Sequence, residues 1–372
     1  MNVIIEHSSA ELYGSDRSLL AIVAAIIDRG GAATVLLPAD GPLVSRLNAL
    51  GAQVHITELA VLRRQLARKP SEWWSLGRAQ ASVRRLAGSL VQRVSPDVVI
   101  SNTAAMISGR RLARVMGVPH VQIVREIFGS KLERAAFARI VSRSDSLVFV
   151  SEAALEQFAP RLRKPSHVIP SGAELVHTTV TPRSHDTGPL RIVCVGRINA
   201  WKGQDTLLRA ASRLNANGTP ILVRIVGGEY GGGDEMTRAL RLLADELGID
   251  GVTEFVGEVP DATPHYEWAD ISVTPSKRAE PFGKVVIEAM NASRPVVATA
   301  AGGPAEVLAD GAGGRLFPPD DDEGLANAII ELSDEETWLV ASRQAFDKSS
   351  EYSATRSAER IIETIPHAKV RS

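Results

Sequence analysis

Residues 190–203 read Leu190-Arg191-Ile192-Val193-Cys194-Val195-Gly196-Arg197-Ile198-Asn199-Ala200-Trp201-Lys202-Gly203. The β-branched run predicts a buried strand, Gly196 ends it, and the pattern QDTLLRAASRL that follows Gly203 has helical period. A strand that passes through a tight turn into a helix is half of a parallel βαβ unit. The alternation recurs in both directions. Toward the C-terminus, LVRIVGG, VTEFVG, ISVTPS and PVVATA read as strands between helical stretches such as KVVIEAMNAS. Toward the N-terminus, NVIIEH, ATVLLPA, QVHIT, DVVISN, HVQIVR and SLVFV do the same. In SDRSLLAIVAAIIDRG, Ser15 or Asp16 is expected to cap the helix start and Gly30 to follow its end. Such alternation predicts an α/β class with parallel sheets covered by helices. The stretch HTTVTPRSHDTGPL is poor in apolar residues and reads as a linker. Two Rossmann-like domains are therefore expected, at 1–180 and 190–350. The segment 351–372, containing SATRSAERIIETI, is expected to form a helix that packs back on the N-terminal domain.

Composition agrees. The chain has 372 residues, 44% hydrophobic and 23% charged, enough for two cores and inconsistent with disorder. Cys194 is the only cysteine, which excludes an intrachain disulfide and a Cys-rich zinc site and points to a reducing compartment. The apolar run Leu19 to Ile27 is too short to span a bilayer, and MNVIIEHSSA lacks a signal-peptide pattern, so a cytoplasmic protein is expected. A net charge of -1 argues against a nucleic-acid partner. Residues 1–190 hold 23 basic and 15 acidic side chains, so the N-terminal half is positive and the remainder negative. The halves are expected to face different partners.

In open parallel sheets, ligands bind beyond the carboxyl ends of the strands. The turn after LRIVCVG offers Gly196 and Gly203 for close backbone approach, the cations Arg197 and Lys202, and a helix N-terminus. That combination suits a diphosphate; solvated surface charges are the alternative. Neither a Walker loop nor Gly-x-Gly-x-x-Gly occurs in the chain, which weakens NTPase and dehydrogenase readings. Farther on, Glu280-Pro281-Phe282-Gly283-Lys284 leaves the strand ISVTPS, and Glu288 follows inside the next helix. Two carboxylates so placed, with helix-N-terminal amides between them, can accept hydrogen bonds from sugar hydroxyls.

These elements, Val195-Gly196-Arg197 through Lys202-Gly203, Glu280-Pro281-Phe282-Gly283 with Glu288, and Gly302-Gly303-Pro304-Ala305-Glu306, resemble the donor domain of retaining glycosyltransferases of family 4. The resemblance covers about residues 190–330. It implies the GT-B fold, two Rossmann-like domains facing each other across a cleft, and transfer of a sugar from a nucleotide-sugar to an acceptor hydroxyl. By that resemblance Arg197 and Lys202 neutralise the donor diphosphate without a metal ion, and no other cofactor is implied. Glu280 binds hydroxyls of the transferred sugar, Pro281, Phe282, Gly283 and Lys284 close over sugar and phosphate, and Glu288 takes the ribose. Val256 and Val259 flank the loop that contacts the base, and Gly227 ends the strand beneath it. In the N-terminal half, the loop Ser8 to Arg17 carries a lone Gly14 where many relatives have a glycine pair, and is expected to face the phosphates and the acceptor.

After HVQIV many relatives place a His before an acid; this chain has Arg125-Glu126. An arginine there can contact sugar or phosphate but has no titratable ring, so both residues are carried as catalytic candidates. His120 is expected to be structural. Asp320-Asp321-Asp322 is expected to cap a helix rather than hold a metal. Between Val61 and Arg93, eight basic residues and an apolar series at helical spacing (Trp73, Leu76, Val83, Ala87, Leu90, Val94) form an amphipathic pattern. It fits either a helix on anionic membrane, at the inner face where lipid-linked acceptors reside, or a helix packed on the sheet. Glycan, lipid-linked or small-molecule acceptors, and a place in cell-envelope or exopolysaccharide assembly, follow from the resemblance. A nucleotide-sugar epimerase, a glycan phosphorylase and a catalytically silent sugar-nucleotide-binding protein are the alternatives.

Overall fold

Among the described residues of the computed structural model, thirteen short strands, nearly all drawn from the β-branched runs above, pair in parallel into two sheets. Residues 1–62, 77–78, 81–83, 85–88, 90, 94–158, 161–162, 164–175, 188–229 and 231–366 are described. The chain divides into two units, Met1–Gly172 with Ala354–Ser372, and Ala173–Ser353.

The first unit holds β1 (Asn2–Glu6), β2 (Ala32–Leu37), β3 (Gln53–Ile56), β4 (Val98–Ser101), β5 (His120–Val124), β6 (Ser146–Phe149) and β7 (Ser166–Val168) in the order β3-β2-β1-β4-β5-β6-β7. The second holds β8 (Leu190–Val195), β9 (Ile221–Val226), β10 (Thr253–Gly257), β11 (Ile271–Thr274), β12 (Val296–Thr299) and β13 (Gly314–Phe317) in the order β10-β9-β8-β11-β12-β13. Both orders reverse beside the first strand, between β1 and β4 and between β8 and β11. That reversal leaves an open crevice at the strand ends in each Rossmann-like sheet.

The strands β4, β5, β6, β11 and β12 are buried along their whole length, which is why they read as unbroken apolar runs rather than alternating ones. In the second unit, Leu207, Leu208 and Leu214 of helix Gln204–Ala216 pack on Ile192, Val223 and Ile225 of the sheet. Each such side chain contributes roughly 1.5–3 kcal/mol. β7 and β13 were not expected from sequence. They are edge strands of three and four residues that gain definition only from the neighbour they pair with.

The first helix runs Gly14–Asp28 with Tyr13 at the N-cap. This corrects the expected cap: Asp16 lies inside the first turn and reaches back to accept the Tyr13 N–H at 2.8 Å. Gly30 follows the helix end with φ 72. The last helix, Ala354–Glu363, packs in the first unit against Gly14–Asp28 and buries Ala358, Ile361 and Ile362. Most of the basic stretch 61–93, and the linker at 177–187, lie outside the described residues. Within that stretch, Val83, Ala87 and Leu90 are buried with Ile4, Leu36, Val99 and Leu112, while Arg78 and Arg85 are exposed. These three apolar side chains are thus spent on the sheet. Among the described residues no helix is long and apolar enough to cross a membrane.

Candidate functional site

The crevice between β8 and β11 collects the predicted cations and carboxylate. After β8, Asn199 turns the chain by accepting the N–H groups of Trp201 and Lys202 through Oδ1, at 3.2 and 3.1 Å. Gly203 then caps helix Gln204–Ala216 with φ 73. A Cβ at Gly203 would stand 1.9 Å from the Pro275 carbonyl oxygen, so only glycine lets the β8 loop lie against the β11 loop. Lys277 N–H donates to the Trp201 carbonyl at 2.8 Å and fixes that contact.

Across it, Lys202 Nζ donates to Glu280 Oε1 at 2.8 Å, with side-chain exposures of 15% and 6%. Ser276 Oγ donates to the same carboxylate oxygen. Lys202 Nζ also lies 4.8 Å from the Trp201 ring centre. Gly196 sits beside this ammonium, since a Cβ there would be 3.8 Å from Nζ. Arg197 is exposed on the same turn, and its carbonyl accepts from Gln204 Nε2 at 3.1 Å. Cys194 lies beneath, buried, with burial pushing its thiol up to about 12.

The segment Glu280–Phe282 is held by Gly302–Gly303. Gly303 N–H donates to the Glu280 carbonyl at 2.9 Å, and a Cβ at Gly302 would meet that oxygen at 2.2 Å. The Gly-Gly-Pro of the sequence is thus the surface on which Glu280 rests. Gly283 caps helix Lys284–Asn291, and Phe282 is buried against Tyr352 at 5.9 Å between ring centres. Glu288, half-buried on this helix, accepts from Tyr266 Oη at 3.2 Å. Tyr266 was missed by sequence reasoning; it comes from helix Thr263–Trp268 before β11 and no motif contains it. Gly227 lies on the Gly196 carbonyl and its N–H donates to the Gly257 carbonyl at 2.8 Å. The loops after β8, β9 and β10 are therefore layered, with Val256 in β10 and Val259 just beyond it.

Asp321 caps helix Asp322–Ser333 by accepting the Gly324 N–H at 2.8 Å, while Asp320 pairs with Lys277 at 2.8 Å. The acidic triplet is engaged in capping and clamping. Lys277 also pairs with Asp205 at 2.7 Å, tying the β11 loop to the helix after β8.

Gly14, Arg125 and Glu126 belong to the first unit, at the carboxyl ends of its strands. Glu126 Oε2 accepts backbone N–H groups of Ala104 at 3.1 Å and Arg125 at 2.8 Å, which joins the β4 and β5 ends; burial raises its carboxyl above the usual range. Arg125 donates to Ser171 Oγ at 2.7 Å and to the Asn102 carbonyl and side chain. Burial lowers its guanidinium to about 10, with Glu126 and Asp16 opposing, so it stays cationic at neutral pH. Beside it lies a buried pair that sequence reasoning missed: His7 Nε2 and Asp16 Oδ1 at 2.5 Å. The signal was present as His at a strand end and Asp in the following first turn, but nothing in their spacing required contact. His120 is interior, bonded to Ser101 at 2.8 Å and Ser144 at 3.0 Å, and burial lowers it to about 3. Glu6 accepts from Ser101, Ser108 and the Gly109 N–H, and burial raises it.

Two family models match successive stretches of this chain: Glycosyltransferase Family 4 over residues 13–176, and Glycosyl transferases group 1 over residues 180–351. A D-inositol 3-phosphate glycosyltransferase from Corynebacterium urealyticum is 35% identical over 174 residues, 45% of this chain and 41% of that protein. An exopolysaccharide phosphotransferase of Streptomyces coelicolor is 30% identical over 314 residues, 80% of this chain and 31% of that one. The matched stretches thus span less than half the length of these two relatives. Among solved structures, Anabaena HepE in complex with UDP and glucose superposes with a TM-score of 0.79 at 22% identity, covering 98% of this chain and 99% of that one. The lipopolysaccharide outer core galactosyltransferase WaaB gives 0.73 at 14% identity, covering 98% of each chain. These likenesses show the GT-B type of fold, with two Rossmann-like domains.

Proposed function

Starting from a chain that belongs to glycosyltransferase family 4, we propose an enzyme that moves a sugar from a nucleotide-sugar donor to an acceptor hydroxyl, with retention at the anomeric carbon and without a metal ion. The observation that carries this reading is the Lys202–Glu280 pair, an ammonium and a carboxylate held together at the reversal point of the β8–β13 sheet. Without ligand the two satisfy each other. With donor bound, the diphosphate takes Lys202 and a sugar hydroxyl donates to Glu280, so each buried charge exchanges one partner for another.

Arg197 and Lys202 then stabilise the charge that develops on the leaving diphosphate, the term that most lowers such a barrier. The C–O bond from the sugar to the phosphate breaks, the bond to the acceptor oxygen forms on the same face, and the leaving phosphate accepts the acceptor's proton. Pro281, Phe282, Gly283 and Lys284 cover the phosphate side. Glu288, oriented by Tyr266, accepts from the ribose, and the layered glycines near Val256 and Val259 receive the base. Gly14, Arg125 and Glu126 serve the acceptor side.

HepE binds UDP and UDP-glucose, which supports a nucleotide-sugar donor. The names of the inositol-phosphate and exopolysaccharide relatives support a polyhydroxylated acceptor, free or part of a glycan, in envelope or exopolysaccharide assembly. The single cysteine supports a cytoplasmic enzyme.

Thermal melting with UDP, GDP, ADP and dTDP in EDTA tests the donor site. A ligand at one hundred times its Kd stabilises by about 2.7 kcal/mol. One base should raise the melting temperature with EDTA present; no shift from any diphosphate refutes the site.

A further inference from the structure

Arg125, Asn102, His7 and Asp16 form a continuous chain of side-chain hydrogen bonds across the ends of β5, β4 and β1 and the first helix. His7, Asn102 and Asp16 have no solvent exposure. The chemistry of the donors orders the protons along it. A guanidinium only donates. Arg125 Nε and Nη2 both face one atom of the Asn102 amide, at 3.3 and 3.1 Å, so that atom is the oxygen. The amide nitrogen therefore faces His7 Nδ1, at 3.1 Å. An amide nitrogen does not accept, so Nδ1 carries its lone pair and the ring proton sits on Nε2, pointing at Asp16 Oδ1 at 2.5 Å. The second carboxylate oxygen of Asp16 holds the Tyr13 N–H at 2.8 Å. The guanidinium is itself fixed by Ser171 Oγ at 2.7 Å and the Asn102 carbonyl at 3.1 Å.

We propose that Arg125 is a positioning residue that acts through Asn102 on His7 and Asp16: it holds His7 in the Nε2-protonated neutral form, and the held pair sets the loop Ser8–Tyr13 at the ligand end of the first sheet. The importance of that loop for sugar transfer rests on the proposed function; the proton order of the chain does not.

The test is the ring of His7 in the full-length 15N-labelled protein, read by long-range proton–nitrogen correlation at neutral pH and assigned by the signal lost in His7→Gln. The expected result is a protonated Nε2 and a bare Nδ1. In Asn102→Asp, where the facing group becomes an acceptor, Nδ1 should gain a proton. In Arg125→Met the amide loses the donor that orients it, a second His7 form should appear, and amide exchange in residues 8–13 should rise by about tenfold, the equivalent of one lost hydrogen bond. A wild-type ring protonated at Nδ1 overturns the proposal without any variant. So does an Arg125→Met protein with unchanged His7 signals and unchanged exchange. Failure of the glycosyl-transfer reading appears elsewhere, as the absence of diphosphate binding, and leaves these spectra as they are.

Discussion

Replacing Lys202 with methionine removes the ammonium and keeps most of the side-chain volume. Glu280, 6% exposed, then loses its cationic partner and keeps the Ser276 hydroxyl. Breaking one side of a buried ion pair costs about 3–5 kcal/mol, and the partial exposure of Lys202 places this case near about 3 kcal/mol. At about 2–4 °C per kcal/mol for a domain of this size, the melting transition of the second unit should fall by about 6–12 °C. The double variant Lys202→Met/Glu280→Leu removes the stranded carboxylate as well and should recover most of that loss. Ligand binding separates from stability in this pair of proteins. Both lack the charge-assisted bond to phosphate, worth about 1.5–3 kcal/mol, so the diphosphate that stabilises the wild type should bind roughly 10- to 150-fold more weakly to each. Calorimetric titration and differential scanning calorimetry read the two effects on the same samples. Wild-type affinity in Lys202→Met would refute the phosphate role. A melting temperature unchanged in the single variant would refute the buried pair itself.

Three further outcomes follow from other contacts. Tyr266→Phe removes the bond to Glu288 and should weaken nucleoside diphosphate binding by about 0.5–1.5 kcal/mol while leaving pyrophosphate, which has no ribose, unaffected; titration with both ligands checks it. Gly203→Ala forces a Cβ into the Pro275 carbonyl at φ 73 and should lower stability by at least about 1–3 kcal/mol in urea unfolding, whereas Gly218→Ala, with open space around it, should cost only the smaller left-handed-conformation term. His120, lowered to about 3 by burial, stays neutral in the fold while the unfolded chain takes up a proton below about 6.5. Its contribution is therefore complete above about 6.5 and lost as pH falls toward 3, by up to about 1.4 kcal/mol per pH unit. The raised carboxyls of Glu6 and Glu126 act in the opposite direction, so the comparison of wild type with His120→Asn between pH 6.5 and 4.5 isolates the histidine. A variant with the same pH slope as wild type would show that His120 is protonated in the fold.

The sheet class, most of the strands and the donor loops are legible in the order of the amino acids. Parallel strands buried on both faces must be written as apolar β-branched runs, and a loop that approaches backbone to backbone must be written with glycine, so LRIVCVG and Gly302-Gly303 carry their structure locally. The helix cap at Tyr13, the edge strands β7 and β13, and the fate of Val83, Ala87 and Leu90 were decided by tertiary structure. A three-residue strand has no pattern of its own, and an apolar helical stripe looks the same whether a sheet or a membrane covers it. The candidate site divides in the same way. Arg197, Lys202, Glu280 and Glu288 stand in motifs a reader can find, but that Lys202 faces Glu280, 78 residues away, exists only because the reversal of strand order sets β8 beside β11. The contacts of Tyr266 with Glu288 and of His7 with Asp16 cannot be read from the residue order, because a hydrogen bond between distant or differently oriented elements imposes a residue type at each end and no spacing between them.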